Sequence, residues 1–232
     1  MGVAHPIIMV HIYSCQLELH DSLYYATREI GRLYESEPVI HNYALCYALG
    51  LVNSDSYRYF CSEQIPQYQE HLNPLNEEKI YVTPARAIAH TAVLNTWKYA
   101  NNNYHVEMEK TQKNIPSFGR AKEIAPESVF ECFIISHHPL QLPKWIRLGK
   151  WMSKAEVKLT ELSLSKQKED LFIYPYPLNP LDVMFTHQVI GYDVINMPPI
   201  SLIRNVRMRG EYYQISDRPD LKIPARLSYH FG

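Results

Sequence analysis

The stretch "YSCQLELHDSLYYATREIGRLYESEPVIHNYALCYALG", Tyr13 to Gly50, decides the fold. Tyr13, Cys15, Leu17 and Leu19 alternate with Ser14, Gln16, Glu18 and His20. That is a strand with one apolar and one wet face. Further on, Val39, Ile40, Tyr43, Ala44, Tyr47 and Ala48 recur at helical spacing. Ser36 suits a helix cap, Pro38 a first turn and Gly50 the residue just past the end. The spacing predicts a helix over Pro38 to Leu49. A strand followed by a buried helix opens an α+β unit. The connection between them, Asp21 to Glu37, sets Arg28, Arg32 and Tyr34 just ahead of that helix. Cations beside a ring at such a place ask for a reason.

Downstream, residues 53–78 are polar and acidic and read as loop with a short helix. Residues 81–100 read two ways. "TPARAIAHTAVLNTW" fits a capped helix starting at Thr83 and Pro84, whereas "HTAVLNTWKY" has the β-branched and aromatic content of a strand. Residues 101–127, with Asn101-Asn102-Asn103 and "NIPSFGRAKEIAPES", read as a protruding loop or hairpin. "VFECFIIS" (129–136) is a strand. "KWIRLGKW" is a turn around Gly149, with a strand near 155–164 after it. Pro175, Pro177, Pro180, Pro198 and Pro199 exclude long helices in the last third. Val194 to Ile195 and Ile200 to Arg209 are expected to pair and to end at a turn, Arg209-Gly210. No repeat or Gly/Ser linker interrupts the chain. One compact α+β unit over 1–232, with a β-rich extension over 171–232, is the expectation.

Of the 232 residues 46% are hydrophobic, enough for a substantial core, and the net charge of −1 carries no global signature of nucleic-acid binding. The distribution is uneven. Residues 1–80 hold 4 basic and 10 acidic side chains, and residues 140–232 hold 13 and 9. Opposite ends of opposite sign let one face meet a polyanion and another a protein. Cys15, Cys46, Cys61 and Cys132 form no C-x-x-C, and no secretory signal precedes the first strand, so a reduced, cytoplasmic protein is expected. No apolar run approaches a membrane span. No histidine pair has the spacing of a metal site, and no phosphate-binding glycine loop or nucleophile elbow occurs, so neither metal nor cofactor is expected. His137-His138 could supply acid–base chemistry for RNA cleavage. Neighbours after a strand point in different directions, however, and no catalytic role is assigned to them.

Basic residues gather beside aromatic ones at four places. They are Arg28/Arg32 with Tyr34, Arg120/Lys122 with Phe118, Arg147/Lys150/Lys154 with Trp145 and Trp151, and Arg204/Arg207/Arg209 with Tyr212. A single-strand binder needs cations for phosphates and flat rings for bases. Gly149 would allow close backbone approach within "KWIRLGKWMSK".

The segments "REIGRLYESEPVIHNYALCYALGL", "YVTPAR", "NIPSFGRAKEIAPES", "KWIRLGKWMSKA", "NPLDV" and "MPPISLIRNVRMRG" follow one another across nearly the whole chain. This pattern resembles the Cas-five-type subunit of type I-D CRISPR Cascade, the Csc-one family of the RAMP superfamily. The resemblance implies a ferredoxin-like (RRM-like) sheet with a thumb-like insertion, for which 101–127 is the candidate. It implies a non-catalytic antiviral-defence subunit that grips the 5′ handle of the CRISPR RNA and caps the backbone filament. Its partners would be the backbone and large subunits, with contact to target DNA near the protospacer-adjacent motif left open. Arg28, Arg32, Tyr34 and Asn42 of the first motif, Arg120 and Lys122 at the thumb's base, Arg147, Lys150 and Lys154, and Arg204, Arg207 and Arg209 would be its RNA contacts. An endoribonuclease cutting repeat RNA and a protein-only scaffold are the alternatives.

Overall fold

The structure, a computed structural model, describes residues 10–52, 66–98 and 118–231. Among these residues the strands form three sheets. The main sheet is built around β1 (His11–Leu19), whose alternation is the one expected. It pairs antiparallel with β9 (Val129–Ser136) on one side and β11 (Ser153–Glu161) on the other. β10 (Trp145–Leu148) continues the sheet beyond β11. Beyond β9 come β6 (Ala85–Ala89), β4 (Val39–Ile40) and the short β5 (Ile80–Val82).

Two helices, α1 (Asn42–Ala48) and α2 (Tyr68–Glu77), lie on one face of this sheet. Tyr13, Cys15 and Leu17 of β1 meet Tyr43, Leu45 and Cys46 of α1 and Leu72 and Leu75 of α2 there, in one core. β1's opposite face is not simply wet. Ile12 joins Phe133 and Ile135 against a second sheet, made of β12 (Leu164–Tyr174), β14 (Leu202–Ile215), β13 (Gln188–Ile195) and β15 (Lys222–Pro224). A short helix α3 (Pro180–Val183), capped by Asn179, links β12 to β13. Being covered on both faces explains why β9 reads as an apolar run broken only by Glu131 before its final serine. It also strands Ser14 and Glu131 inside. Glu131 accepts hydrogen bonds from Ser14 Oγ, Tyr176 Oη and a two-pronged Arg218.

The expected α+β class holds, with strand far outweighing helix. Several local expectations change. The helix starts at Asn42 rather than Pro38, because Val39 and Ile40 pair with Arg86 and Ala85 instead. His41 is its cap, and Ser36 accepts from the Tyr25 amide. Gly50 does follow the helix end, at φ +72°. Between Ile80 and Lys98 the chain forms three strands and no helix. The expected turn at Arg209-Gly210 is absent: β14 runs straight through to Ile215. The C-terminal sheet begins at Leu164, ahead of position 171.

The third sheet is the one that positions the candidate site. The 21–37 connection is no irregular loop. It folds into a hairpin, β2 (Arg28–Ile30) and β3 (Leu33–Glu35), turning at Gly31. β3 then pairs parallel with β8 (Phe118–Ile124), which pairs antiparallel with β7 (Ala92–Lys98). The candidate thumb therefore springs from a β7–β8 pair. Its residues 101–117 lie outside the described residues, and 118–124 are strand.

Candidate nucleic-acid interface

Register sorts the small sheet into two faces. Arg28, Glu35, Lys122 and Leu94 form one row across it, and Ile30, Leu33, Arg120 and Thr96 form the next. Both rows lie on the same face, which is open: Ile30, Leu94 and Arg120 are all exposed. Tyr34, Ala121 and Asn95 occupy the opposite face, where Ala121 and Glu123 are buried. Arg28, Arg120 and Lys122, from segments some ninety positions apart, are thus brought together. Tyr34 lies on the other face, so the expected grouping of Arg28 with this ring does not form. Arg32 is exposed at the hairpin turn, and its carbonyl accepts from the Arg120 amide at 2.9 Å.

The charges on the open face are not equivalent. Glu35 accepts from Arg28 Nη2 at 2.6 Å and from Lys122 Nζ at 2.9 Å. Glu37 lies 3.1 Å from Arg28 Nη2. Hydrogen bonds from Lys122 and then Arg28 hold the Glu35 carboxyl below its ordinary range. Arg32 and Arg120 have no ion pair among the described residues.

The β10–β11 hairpin brings a second cationic group. Arg147 donates to the Met152 carbonyl and lies 3.8 Å from Asp21. Lys154 Nζ sits 3.9 Å above the Trp145 ring. The Lys150 side chain is exposed, and its amide donates to the Tyr24 carbonyl at 2.8 Å. Gly149 does serve a close approach, but to the chain itself. At φ +72° a Cβ there would stand 2.6 Å from the Tyr24 carbonyl oxygen. Trp151 packs 4.6 Å from Tyr24 and 5.4 Å from Trp97. Trp97 lies opposite Gly119, on the Tyr34 face of the small sheet.

The third basic group is set apart on β14. Arg204, Arg207 and Arg209 are exposed, whereas Tyr212 is buried and cannot stack on a ligand. Asn42 is also a correction. It is fully buried and donates to Asp182 Oδ2 at 2.9 Å, so it braces the core and offers nothing to an RNA. Sequence reading of the site missed Trp97, whose only signal is a tryptophan beside a lysine at the edge of the thumb segment. His137 and His138 are exposed at the end of β9. Partial burial and nearby Lys79 lower the pKa of His137.

The fold defines a β-dominated α+β protein whose open accessory sheet carries exposed cations. Over residues 10–232 its sequence matches the family described as type I-D CRISPR-associated protein Cas5/Csc1, and the chain belongs to that family. No curated protein matches it. Among solved structures it is similar to a chain in the cryo-EM structure of the type III-B Cmr-β complex bound to cognate target RNA and AMPPnP. The identity is 9%, the TM-score 0.42, and the match covers 84% of this chain and 86% of that one.

Proposed function

We propose that the chain is a non-catalytic RNA-binding subunit of a type I-D effector complex, gripping the 5′ handle of the CRISPR RNA and capping the backbone filament beside the large subunit. The observation that carries this reading is the small sheet. It gathers Arg28, Arg120 and Lys122 on one open face, with Arg32 at its turn, beside the strands from which the candidate thumb springs. Cations on an extended open face suit a single-stranded phosphate backbone. The strand order β11-β1-β9-β6, each neighbour antiparallel, supports the ferredoxin-like reading of the main sheet. A β10 hairpin stands between β9 and β11, where that fold has its second helix.

The test is to copurify the chain with its neighbouring subunits and sequence the RNA held. Short RNAs sharing one repeat-derived 5′ end are expected; absence of RNA would favour a protein-only scaffold. The isolated chain is expected to leave repeat RNA uncut, and His137→Ala with His138→Ala to leave RNA maturation intact. Specific cleavage lost in that double variant would instead identify an endoribonuclease.

A further inference from the structure

All three tryptophans of the chain are on its surface: Trp97 is 47% exposed, Trp145 39% and Trp151 45%. The fold does not lack room for large rings, since Tyr43, Phe130, Phe133 and Tyr174 are essentially fully enclosed. Two of the three are brought together. Trp97 at the end of β7 and Trp151 in the β10–β11 turn pack edge to face, with Tyr24 behind Trp151. Trp145, on the same hairpin, lines an open cavity of about 490 Å³ with Met152, Arg147 and Lys154. Lys144, Arg147, Lys150 and Lys154 lie on or beside the same hairpin, Lys154 against the Trp145 ring, and among the described residues Glu156 and Asp21 are the carboxylates paired with Lys144 and Arg147.

We propose that Trp97 and Trp151 form a stacking platform for unpaired bases of single-stranded nucleic acid, with Arg147 and Lys150 holding the adjoining phosphates. This rests on the RNA-binding reading above and adds a second contact region to it. Flat, half-exposed rings interleaved with cations are what sequence-tolerant binding of a single strand requires. A protein partner would equally use tryptophan, but the core of a protein interface is depleted of charged residues, and here cations adjoin each hairpin ring. The small sheet separates this platform from Arg28, Arg120 and Lys122, because Trp97 shares the Tyr34 face and the cations lie on the other. A strand gripped at both would pass around the sheet's edge. The rings themselves report occupancy, since a stacked base quenches indole emission.

The experiment titrates the full chain at low salt with a short uridine homopolymer and, as the DNA arm, a thymidine homopolymer. Binding is followed by the anisotropy of a labelled oligomer and, in parallel, by tryptophan emission. Saturable quenching that tracks anisotropy is expected. Quenching by RNA alone or by both polymers supports the platform and tells which strand it takes. Trp151→Leu should weaken binding about tenfold, and Trp151→Tyr, which keeps a π-face, should stay within about threefold of wild type. Melting curves on both variants exclude unfolding as the cause. Oligomer binding that leaves emission unchanged, with wild-type affinity in Trp151→Leu, overturns the platform and leaves the cation site standing. Absence of any oligomer binding overturns both. Quenching produced by a purified partner subunit and not by either polymer assigns the surface to protein contact and overturns the proposal.

Discussion

Arg28 and Arg120 share one face of one sheet but not one environment. Arg28 is held by two carboxylates, Glu35 and Glu37, and would have to leave them, or bring them along, to meet a phosphate. Among the described residues, Arg120 and the turn residue Arg32 have no such carboxylate partner. Each lost phosphate contact makes the slope of log affinity against log salt shallower by roughly 0.7 for a single strand. Arg32→Ala and Arg120→Ala are therefore expected to weaken handle RNA binding and flatten that slope by about this amount each. Arg28→Ala should change the slope less, because its charge is already balanced. Salt titrations of the three variants check this ranking; unaltered affinity and slope in both Arg32 and Arg120 variants would remove the sheet from the RNA. The cations were legible as residue types. Their partners were not, since Glu35 meets Lys122 only through a parallel pairing across 87 positions. The facing of Tyr34 likewise depends on three-residue strands too short to show a period.

At the scale of elements, the hairpin around Gly149 was readable and its role was not. "KWIRLGKW" carries turn chemistry between β-forming runs, so a hairpin follows from local preference alone. That its turn lies against Tyr24 depends on a segment 125 positions earlier. The left-handed conformation and the Tyr24 carbonyl oxygen together exclude a side chain at Gly149. Gly149→Ala is expected to cost about 2 kcal/mol of stability and to loosen Trp151 from Tyr24, which near-ultraviolet circular dichroism and denaturant melts would register. Unchanged stability would mean that the turn does not depend on that approach. The helix boundary failed for a related reason. Two residues, Val39 and Ile40, fit a helical stripe as readily as a strand, and only pairing with β6 decides between them.

Across the whole molecule, buried polar groups tie the layers together. Glu131 on β9 and Arg218, just past β14, join the main sheet to the C-terminal one. Arg218→Ala leaves the enclosed carboxylate without its cation. A fully enclosed pair would lose 3–5 kcal/mol; Arg218 is 39% exposed, so about 2 kcal/mol is expected by chemical denaturation. Loss of the Tyr176 hydroxyl should add to that, because it donates to the same carboxylate.

Asp182 does the same work between α1, β5, α3 and the C-terminal tail, and its ionisation gives the fold a pH signature. Its carboxylate accepts from Asn42, from Tyr81 Oη at 2.8 Å and from the His230 amide at 3.0 Å. Burial nevertheless outweighs these bonds and raises its pKa to about 7. The folded chain thus keeps a proton that the unfolded chain releases near pH 4. The stability tied to this group is full below about pH 4, declines as pH rises to about 7 and then levels. His41, at the start of α1, acts in the opposite sense. Burial lowers its pKa to about 4, so the unfolded chain binds a proton near pH 6.5 that the folded chain refuses. Its contribution rises with pH between about 4 and 6.5, against the fall from Asp182. In the wild type the two slopes offset each other over that window. Asp182→Asn removes the fall and leaves the rise. The variant should therefore gain stability from pH 4 to 6.5 more steeply than wild type, while the difference between the two proteins stays constant above about pH 7. Urea melts across this range test the assignment, and parallel profiles for the two proteins would show that folding does not raise the Asp182 pKa.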